Sequence, residues 1–402
     1  MPSPEPRVAT LVLCTPSGRL LGALPPFQVS LPWWQDAESL VAGARARFGV
    51  EVTILRLLEA SRPSAPGGAV TYLAEVDEAG AGQLSLEKCP EPLAADPLRL
   101  PYAEPGGPAR DLEWAADRLR DRGIPETGQP VQVRTWNLSS LWRIPTEQGD
   151  VWLKCVPPFF AHEGAVLTAL QGWQVPELVA HEAGRILMPE IPGDDLYGAP
   201  LDTCLLLVSM LVRLQSAWIG REGELFALGL PDWRAEALAS SIEDVVRRTA
   251  PDLSGSDLQA LQDLVDHLPE RFEAVRDCGI PDTIVHGDFA PGNARGRGNT
   301  LVLLDWGDCG VGHPLLDQSA FVDRISPHDV PRVREHWAAE WRAAIPGCRP
   351  ARAAPLLAPV AASRQAVIYR VFLDQIESSE HPYHQADPAD WLTRTAALTR
   401  TA

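Results

Sequence analysis

Short alternations of apolar and polar positions dominate the first quarter of the chain, and helical spacing dominates most of its second half. Residues 8–24 predict two short strands around the turn Thr15-Pro16-Ser17-Gly18, because Val, Leu and Ala flank a run of turn formers. Asp36 to Phe48 predicts a helix stopped by Gly49. Val50–Leu58 and Ala69–Val76 predict strands on either side of the breaker run Arg62 to Gly68. A Pro-rich connector, roughly Cys89–Pro108, follows this α/β unit. Asp111–Asp121 then predicts an amphipathic helix, with strands at Val131–Trp136, Leu141–Ile144 and Val151–Val156. A helix over 161–173, with Val166, Leu167 and Leu170 on one face, precedes strands at Leu178–Ala180 and Arg185–Met188. Helices are expected at 202–218, 232–249, 256–277, 329–344, 351–377 and 388–400, interrupted by one strand-rich insert, Thr283–Asp305. There is no internal repeat.

Composition narrows the classes of function. The chain has 402 residues, enough for more than one core, and its 45% hydrophobic and 22% charged content is that of a globular protein. A formal net charge of −18 opposes nucleic-acid and anionic-membrane surfaces. No run of about 18 apolar residues suggests a membrane span, and MPSPEPR lacks the apolar core of a secretory signal. Seven scattered cysteines with no C-x-x-C supply neither a disulfide framework nor zinc spacing, so a cytoplasmic enzyme is expected. Lysine occurs only at Lys88 and Lys154, arginine serving everywhere else. A retained lysine therefore points to a need for a compact ammonium on a flexible stem.

The N-terminal order of strands and helix resembles a Nudix-type fold, which would need a cluster of glutamates on its helix to hold Mg²⁺. With Gly49 on the last glycine of that box, the acid positions fall on Gly43, Ala46 and Arg47, none a carboxylate. Residues 1–90 are therefore expected to be a non-catalytic α/β domain, serving structure or contact with a protein partner.

The insert carries the chemistry. Ile284-Val285 runs into His286-Gly287-Asp288-Phe289-Ala290-Pro291-Gly292-Asn293, and Leu301-Val302-Leu303-Leu304 runs into Asp305-Trp306-Gly307-Asp308. Two apolar strands thus deliver Asp288, Asn293 and Asp305 at their ends. Phosphoryl transfer asks for such a set: a carboxylate at the acceptor hydroxyl, and an amide and a carboxylate on the metal. Alone, H-G-D or D-W-G-D is an ordinary turn after a strand; in this order and spacing they match the kinase pattern. The variant H-G-D-x-x-x-x-N followed by D-W-G-D resembles the aminoglycoside phosphotransferase and choline kinase group, over roughly residues 130–325.

That resemblance implies an α+β, bilobal protein-kinase-like fold: N-lobe 111–190, helical C-lobe 191–402 with catalytic loop 284–308, after the α/β domain 1–90 and linker 91–110. It implies ATP or GTP with Mg²⁺, and γ-phosphate transfer to a hydroxyl of an amino sugar, amino alcohol or sugar. Asp288 would be catalytic, and Asn293 and Asp305 would hold the metal. Lys154, ending a strand, would clamp the phosphates, with Glu163 on the next helix as its partner; Glu182 and Glu147 are the alternatives. Ser139 and Ser140 lie in the turn that replaces a glycine-rich loop, and an Asn-Ser hairpin explains them nearly as well. Glu190 and Ile191 fall where backbone groups would meet an adenine edge. His286, Asp308 and Asp317 would brace the site. The polar run Glu377 to His384 is expected to face the acceptor. A nucleotide-binding pseudokinase that regulates a partner remains the alternative, and a bifunctional hydrolase using the N-terminal unit is a further one.

Overall fold

The most apolar N-terminal segment becomes β1 (Arg7–Cys14), and six of its eight residues are buried. A strand covered on both faces belongs in the middle of a sheet. β2 (Leu20–Ala23) and β3 (Phe27–Val29) pair with it antiparallel, and β5 (Gly68–Glu75) pairs with it parallel. β4 (Thr53–Ala60) closes the other edge against β5. Helix α1 (Glu38–Phe48) has its acid in the first turn and Arg45 and Arg47 in the last, matching the helix dipole, and ends at Gly49 with φ 67°. Gly43 permits its approach to the sheet, because a Cβ there would lie 2.7 Å from the Phe27 ring. Trp34, Leu40, Ala44, Ile54 and Tyr72 fill the core between them.

In this computed structural model, residues 5–77, 84–88 and 95–401 are described. They divide into two compact units. The first comprises Met1–Ala161, Leu178–Glu190 and Phe372–Ala386; the second comprises His162–Glu177, Ile191–Val371 and Asp387–Ala402. Part of the Pro-rich connector, residues 89–94, lies outside the described residues. Of its remaining residues, Pro101–Ala103 form a short 3-10 turn, and Gly107 and Pro108 open α2 (Gly107–Asp121), which starts four residues before the expected Asp111, with Gly106 in the left-handed region.

The first unit holds a second, antiparallel sheet. Its strands are β6 (Val131–Trp136), β7 (Ser139–Thr146), β8 (Gly149–Cys155), β9 (Ala180–Glu182) and β10 (Arg185–Pro189), in the order β6-β7-β8-β10-β9. The two sheets are joined by a side-chain amide and a few isolated backbone bonds rather than by a regular ladder. The Gln132 amide accepts from Ile54 N–H at 2.8 Å and donates to Ile54 C=O at 2.7 Å. Thr135 N–H donates to Gln35 C=O at 3.0 Å.

The run Glu377–His384 is also built into this unit, and this corrects the expectation that it faces an acceptor. Glu377 pairs with Arg56 at 3.0 Å and with Arg99 at 3.0 Å. The Glu380 carboxylate accepts Leu57 N–H at 3.0 Å, where the β4 register shifts. Tyr383 stands edge-on to Trp34 and Trp136, each at 5.6 Å. Glu380 is 3% exposed, so its contribution is to packing rather than to a solvent-facing site.

The second unit is helical apart from two three-stranded sheets. One consists of β11 (Asp194–Asp195), β14 (Ala294–Arg297) and β15 (Thr300–Leu303); the other of β12 (Asp232–Trp233), β13 (Thr283–Val285) and β16 (Gly310–Gly312). Its helices are α3 (Glu163–Ala169), α4 (Leu201–Ala217), α5 (Glu222–Ala227), α6 (Ala235–Thr249), α7 (Gly255–Asp266), α8 (Leu268–Arg276), α9 (Leu316–Val322), α10 (Val330–Ala344), most of α11 (Pro350–Gln375) and α12 (Asp387–Thr401). The helix expected over 256–277 is two, because Pro269 cannot donate into a continuous ladder and starts a new first turn after His267. Asp232 and Trp233, expected to be helical, instead pair parallel with β16. α11 is long and apolar enough to cross a bilayer, but 67% of its most apolar window is buried within the protein, as in a core helix.

Candidate active site

β13 is apolar and wholly buried, and it ends where the chain must turn sharply. Gly287 makes the turn with φ 92°; a Cβ there would lie 2.0 Å from the Asp308 carbonyl oxygen. Only glycine meets both conditions. Asp317, at the start of α9, holds the turn by its backbone. Its carboxylate accepts His286 N–H at 2.9 Å, Gly287 N–H at 2.8 Å and the Gln215 amide at 2.9 Å. Burial pushes the Asp317 carboxyl up to about 6, while the two backbone N–H bonds, Arg364 and Gln215 pull it back. Its bonds run to the backbone of the turn after β13 rather than across its own helix N-terminus.

His286 ties this turn to the second strand end. Its Nε2 lies 2.9 Å from the Leu304 carbonyl, an acceptor, so Nε2 carries the proton. Burial lowers its pKa to about 4, which keeps the ring neutral. The ring packs on Trp306 at 4.6 Å. The residue after Leu304 is Asp305, an exposed residue in the left-handed region with φ 62° and ψ 65°. Asp tolerates that conformation better than most side chains, yet it remains a strained position of the kind found at functional sites.

Asp288 and Asn293 meet directly. The Asn293 amide nitrogen donates to the Asp288 carboxylate at 2.8 Å and to the Asp288 carbonyl at 2.7 Å. Both partners are acceptors, which fixes the amide orientation and leaves Oδ1 as the atom of Asn293 able to bind a cation. Burial raises the Asp288 pKa; the Arg324 guanidinium, 3.9 Å away, lowers it, and the Asp305 charge raises it again. Two carboxylates in electrostatic contact beside an amide oxygen form a hard donor set suited to Mg²⁺. Among the described residues, no three His, Cys, Asp or Glu side chains gather as a metal cluster.

Glu163, the first residue of α3, is 2% exposed and accepts Trp306 N–H at 3.2 Å, one residue after Asp305. Ile191 gives its carbonyl to Arg295 Nε at 2.7 Å. Asp308 accepts Arg364 at its backbone carbonyl, 2.9 Å.

The remaining sites of the sequence analysis lie in the first unit. Lys154 is the penultimate residue of β8, the central strand of its sheet, opposite Leu141 on β7 and Ile186 on β10. It alternates with the buried Leu153 and Cys155 and so shares a strand face with Trp152. Glu190 bonds the Trp152 indole, and its N–H donates to Asp150 C=O at 2.8 Å, which engages a backbone donor expected for adenine. Ser139 and Ser140 are buried, and their hydroxyls accept the indoles of Trp136 at 3.2 Å and Trp142 at 3.1 Å. Asn137 in the same turn is bonded to Glu380 C=O at 3.3 Å and to His384 at 3.0 Å.

Three bracing residues escaped the sequence reading. Arg364 is 2% exposed and donates to Gly287 C=O at 3.0 Å and to Asp308 C=O. Gln365 adds a bond to Gly287 C=O at 3.2 Å, and Gln215 holds Asp317. A charged residue in the apolar run Val360–Ile368 was the available signal for Arg364, since such a residue stays buried only when its donors are used.

The family model described as the phosphotransferase enzyme family, APH, matches residues 131–354. The chain belongs to this family, and with it to the phosphotransferases that act on small-molecule hydroxyl groups. A macrolide 2'-phosphotransferase type I is 15% identical, with TM-score 0.50, covering 67% of this chain and 96% of that one. A choline kinase from Cryptosporidium parvum Iowa II is 9% identical, with TM-score 0.52, covering 72% and 94%. At these identities the likeness establishes the protein-kinase-like fold. Among curated protein sequences, none matches the chain.

Proposed function

We propose that the protein transfers the γ-phosphate of ATP or GTP to a hydroxyl of an amino sugar, amino alcohol or sugar, with Asp288 at the acceptor hydroxyl. The observation that carries this reading is the Asp288–Asn293 bond at 2.8 Å in a turn clamped by Asp317. Asp288 accepts the hydroxyl proton or aligns the O–H for in-line attack, and its burial-raised pKa makes it a better base near neutral pH. Asn293 Oδ1 and Asp305 would hold Mg²⁺, which when bound neutralises charge on the phosphates. Lys154 would orient the nucleotide phosphates; its place on a central strand and the near absence of lysine elsewhere support that role. Glu163 fixes the backbone beside Asp305. His286 stays neutral and takes no part in proton transfer.

The test is nucleotide-dependent phosphorylation of a panel of hydroxyl compounds by the full chain. Macrolide, aminoglycoside and choline acceptors would be tried with ATP and with GTP. Turnover with at least one acceptor is expected. Tight nucleotide binding without transfer to any acceptor would replace this reading with a pseudokinase.

A further inference from the structure

Asp288 divides its two carboxylate oxygens between different neighbours. Oδ2 accepts the Asn293 amide at 2.8 Å. Oδ1 has no hydrogen bond among the described residues, and the cation beside it is Arg324, with Nη2 3.9 Å away. That separation is too long for a hydrogen bond, which closes by about 3.2 Å. The guanidinium makes no other side-chain bond among the described residues. Both side chains reach solvent, at 35% exposure for Asp288 and 55% for Arg324. Oδ1 and the Arg324 donors are therefore both open to a ligand.

The backbone fixes where Arg324 starts. It follows Asp323, the cap of α9, and its N–H donates to Phe321 C=O at 3.1 Å. α9 is in turn locked to the Asp288 turn at both ends. Asp317 accepts the N–H groups of His286 and Gly287, and Phe321 stacks on Phe289, the residue after Asp288, with ring centroids 4.8 Å apart. The clamp that shapes the turn thus also sets the stem of the guanidinium.

The charges around the pair restrict what it can receive. Asp305 and Arg364 also act on Asp288, and Arg364 is committed to the carbonyls of Gly287 and Asp308. Asp308 and Asp387 act with Asp288 and Arg324 on the Tyr369 hydroxyl. Asp323, beside Arg324, is paired with Arg394. A carboxylate or phosphate on the acceptor would be repelled by Asp288, Asp308 and Asp387. Those acids favour an ammonium further out, but beside the reacting hydroxyl it would meet Arg324. A neutral oxygen meets neither objection and supplies the lone pairs that guanidinium N–H groups need. Resting on the reading that Asp288 receives the acceptor hydroxyl, we propose that the acceptor is a vicinal diol, as in a sugar or polyol. Oδ1 of Asp288 accepts the reacting O–H, and Arg324 donates to the oxygen on the adjoining carbon. A hydroxyl oxygen bonded to Oδ1 stands about 2.7 Å from it, within reach of a guanidinium 3.9 Å from the same atom. This selects the sugar among the acceptor classes above and excludes an amino group adjoining the reacting hydroxyl.

The experiment titrates the ¹⁵N-labelled full chain with cis-cyclohexane-1,2-diol, cis-2-aminocyclohexanol and cyclohexanol, which differ only in the group beside the hydroxyl. It follows the Arg324 Nε–H signal, assigned by Arg324→Lys. The diol is expected to shift that signal with a Kd of about 10 mM or tighter, and the other two at least tenfold more weakly. An unmoved signal up to about 50 mM diol, or an amino alcohol that binds as well as the diol, would overturn the proposal. This readout needs no phosphate transfer, so diol binding without turnover would sink the kinase reading and leave the diol site standing. Transfer to an acceptor whose reacting hydroxyl adjoins an ammonium, at a rate matching its diol counterpart, would sink the diol site alone. Arg324→Gln, at a half-exposed position with the fold checked by melting temperature, should raise the KM of a diol acceptor about tenfold and keep kcat within about twofold. A loss of kcat shared by every acceptor would instead place Arg324 on the transferring phosphoryl group and overturn the proposal.

Discussion

Two carboxylates, one in each unit, share a burial-raised pKa and differ in everything else. Asp288 follows the end of a strand, half-buried, with its carboxylate bonded by the Asn293 amide. Glu380 is sealed in the first unit, its pKa pushed up to about 8 by burial, with its oxygen on Leu57 N–H. Perturbed titration alone does not separate a reactive group from a packing group; access and the orientation of partners do. The polar run around Glu380 reads in sequence much like a site, and the structure turns it inward.

The largest test of that contrast is Asp288→Asn. A loss of about 10²–10⁴ in turnover is expected, the usual contribution of a positioned base, with little change in the urea midpoint. Near-normal turnover would remove Asp288 from the chemistry. Glu377→Ala reverses the pattern by leaving Arg56, 2% exposed, without its buried partner. A loss of about 3–5 kcal/mol in unfolding free energy is expected. A change under about 1 kcal/mol would show that this ion pair does not anchor the segment.

Asp317→Asn tests a position between the two extremes. It is 1% exposed like Glu380, yet it holds the backbone of the Asp288 turn. Removing the charge that receives two backbone N–H groups should cost about 1.5–3 kcal/mol and lower turnover more than acceptor KM. A normal rate in a destabilised protein would assign it to stability alone.

The smallest effect is the pH dependence of Glu380. A carboxyl whose folded pKa exceeds its unfolded value stabilises the fold at low pH and loses that contribution as pH rises. For Glu380 the window runs from the ordinary value of 4.5 to about 8; for Asp317 it runs from 3.8 to about 6. Glu380→Gln keeps an acceptor for Leu57 N–H and removes the titration. The slope of stability between the upper limits of those windows should therefore flatten, by at most about 1.4 kcal/mol per pH unit. An unchanged slope there would mean that Glu380 does not titrate in that range.

Much of the site is visible in the one-dimensional pattern because it is local. Asp288 and Asn293 are five residues apart in one turn, and Asp305 ends the next strand but one. Apolar runs such as Leu301–Leu304 announce strands, and the acids Asp288 and Asp305 follow them at the strand ends. The bracing set is not local. Gln215, Asp317 and Arg364 lie on three different helices, and no spacing rule relates them. The same holds for Gln132, whose amide substitutes for a strand ladder 78 residues from Ile54.

Local order therefore decided which residues could do chemistry: strand periodicity, turn glycines, and an acid and an amide at fixed short separations. These follow from backbone geometry and steric preference, which act over a few residues. Only the folded chain decided which polar groups are buried, since burial depends on what distant segments bring to them. It left Asp305 exposed, placed the Ser139 and Ser140 hydroxyls on indoles, and closed Glu377 and Glu380 against Arg56 and Leu57. Solvation sets the energy of a charge, and solvation is a property of the tertiary structure.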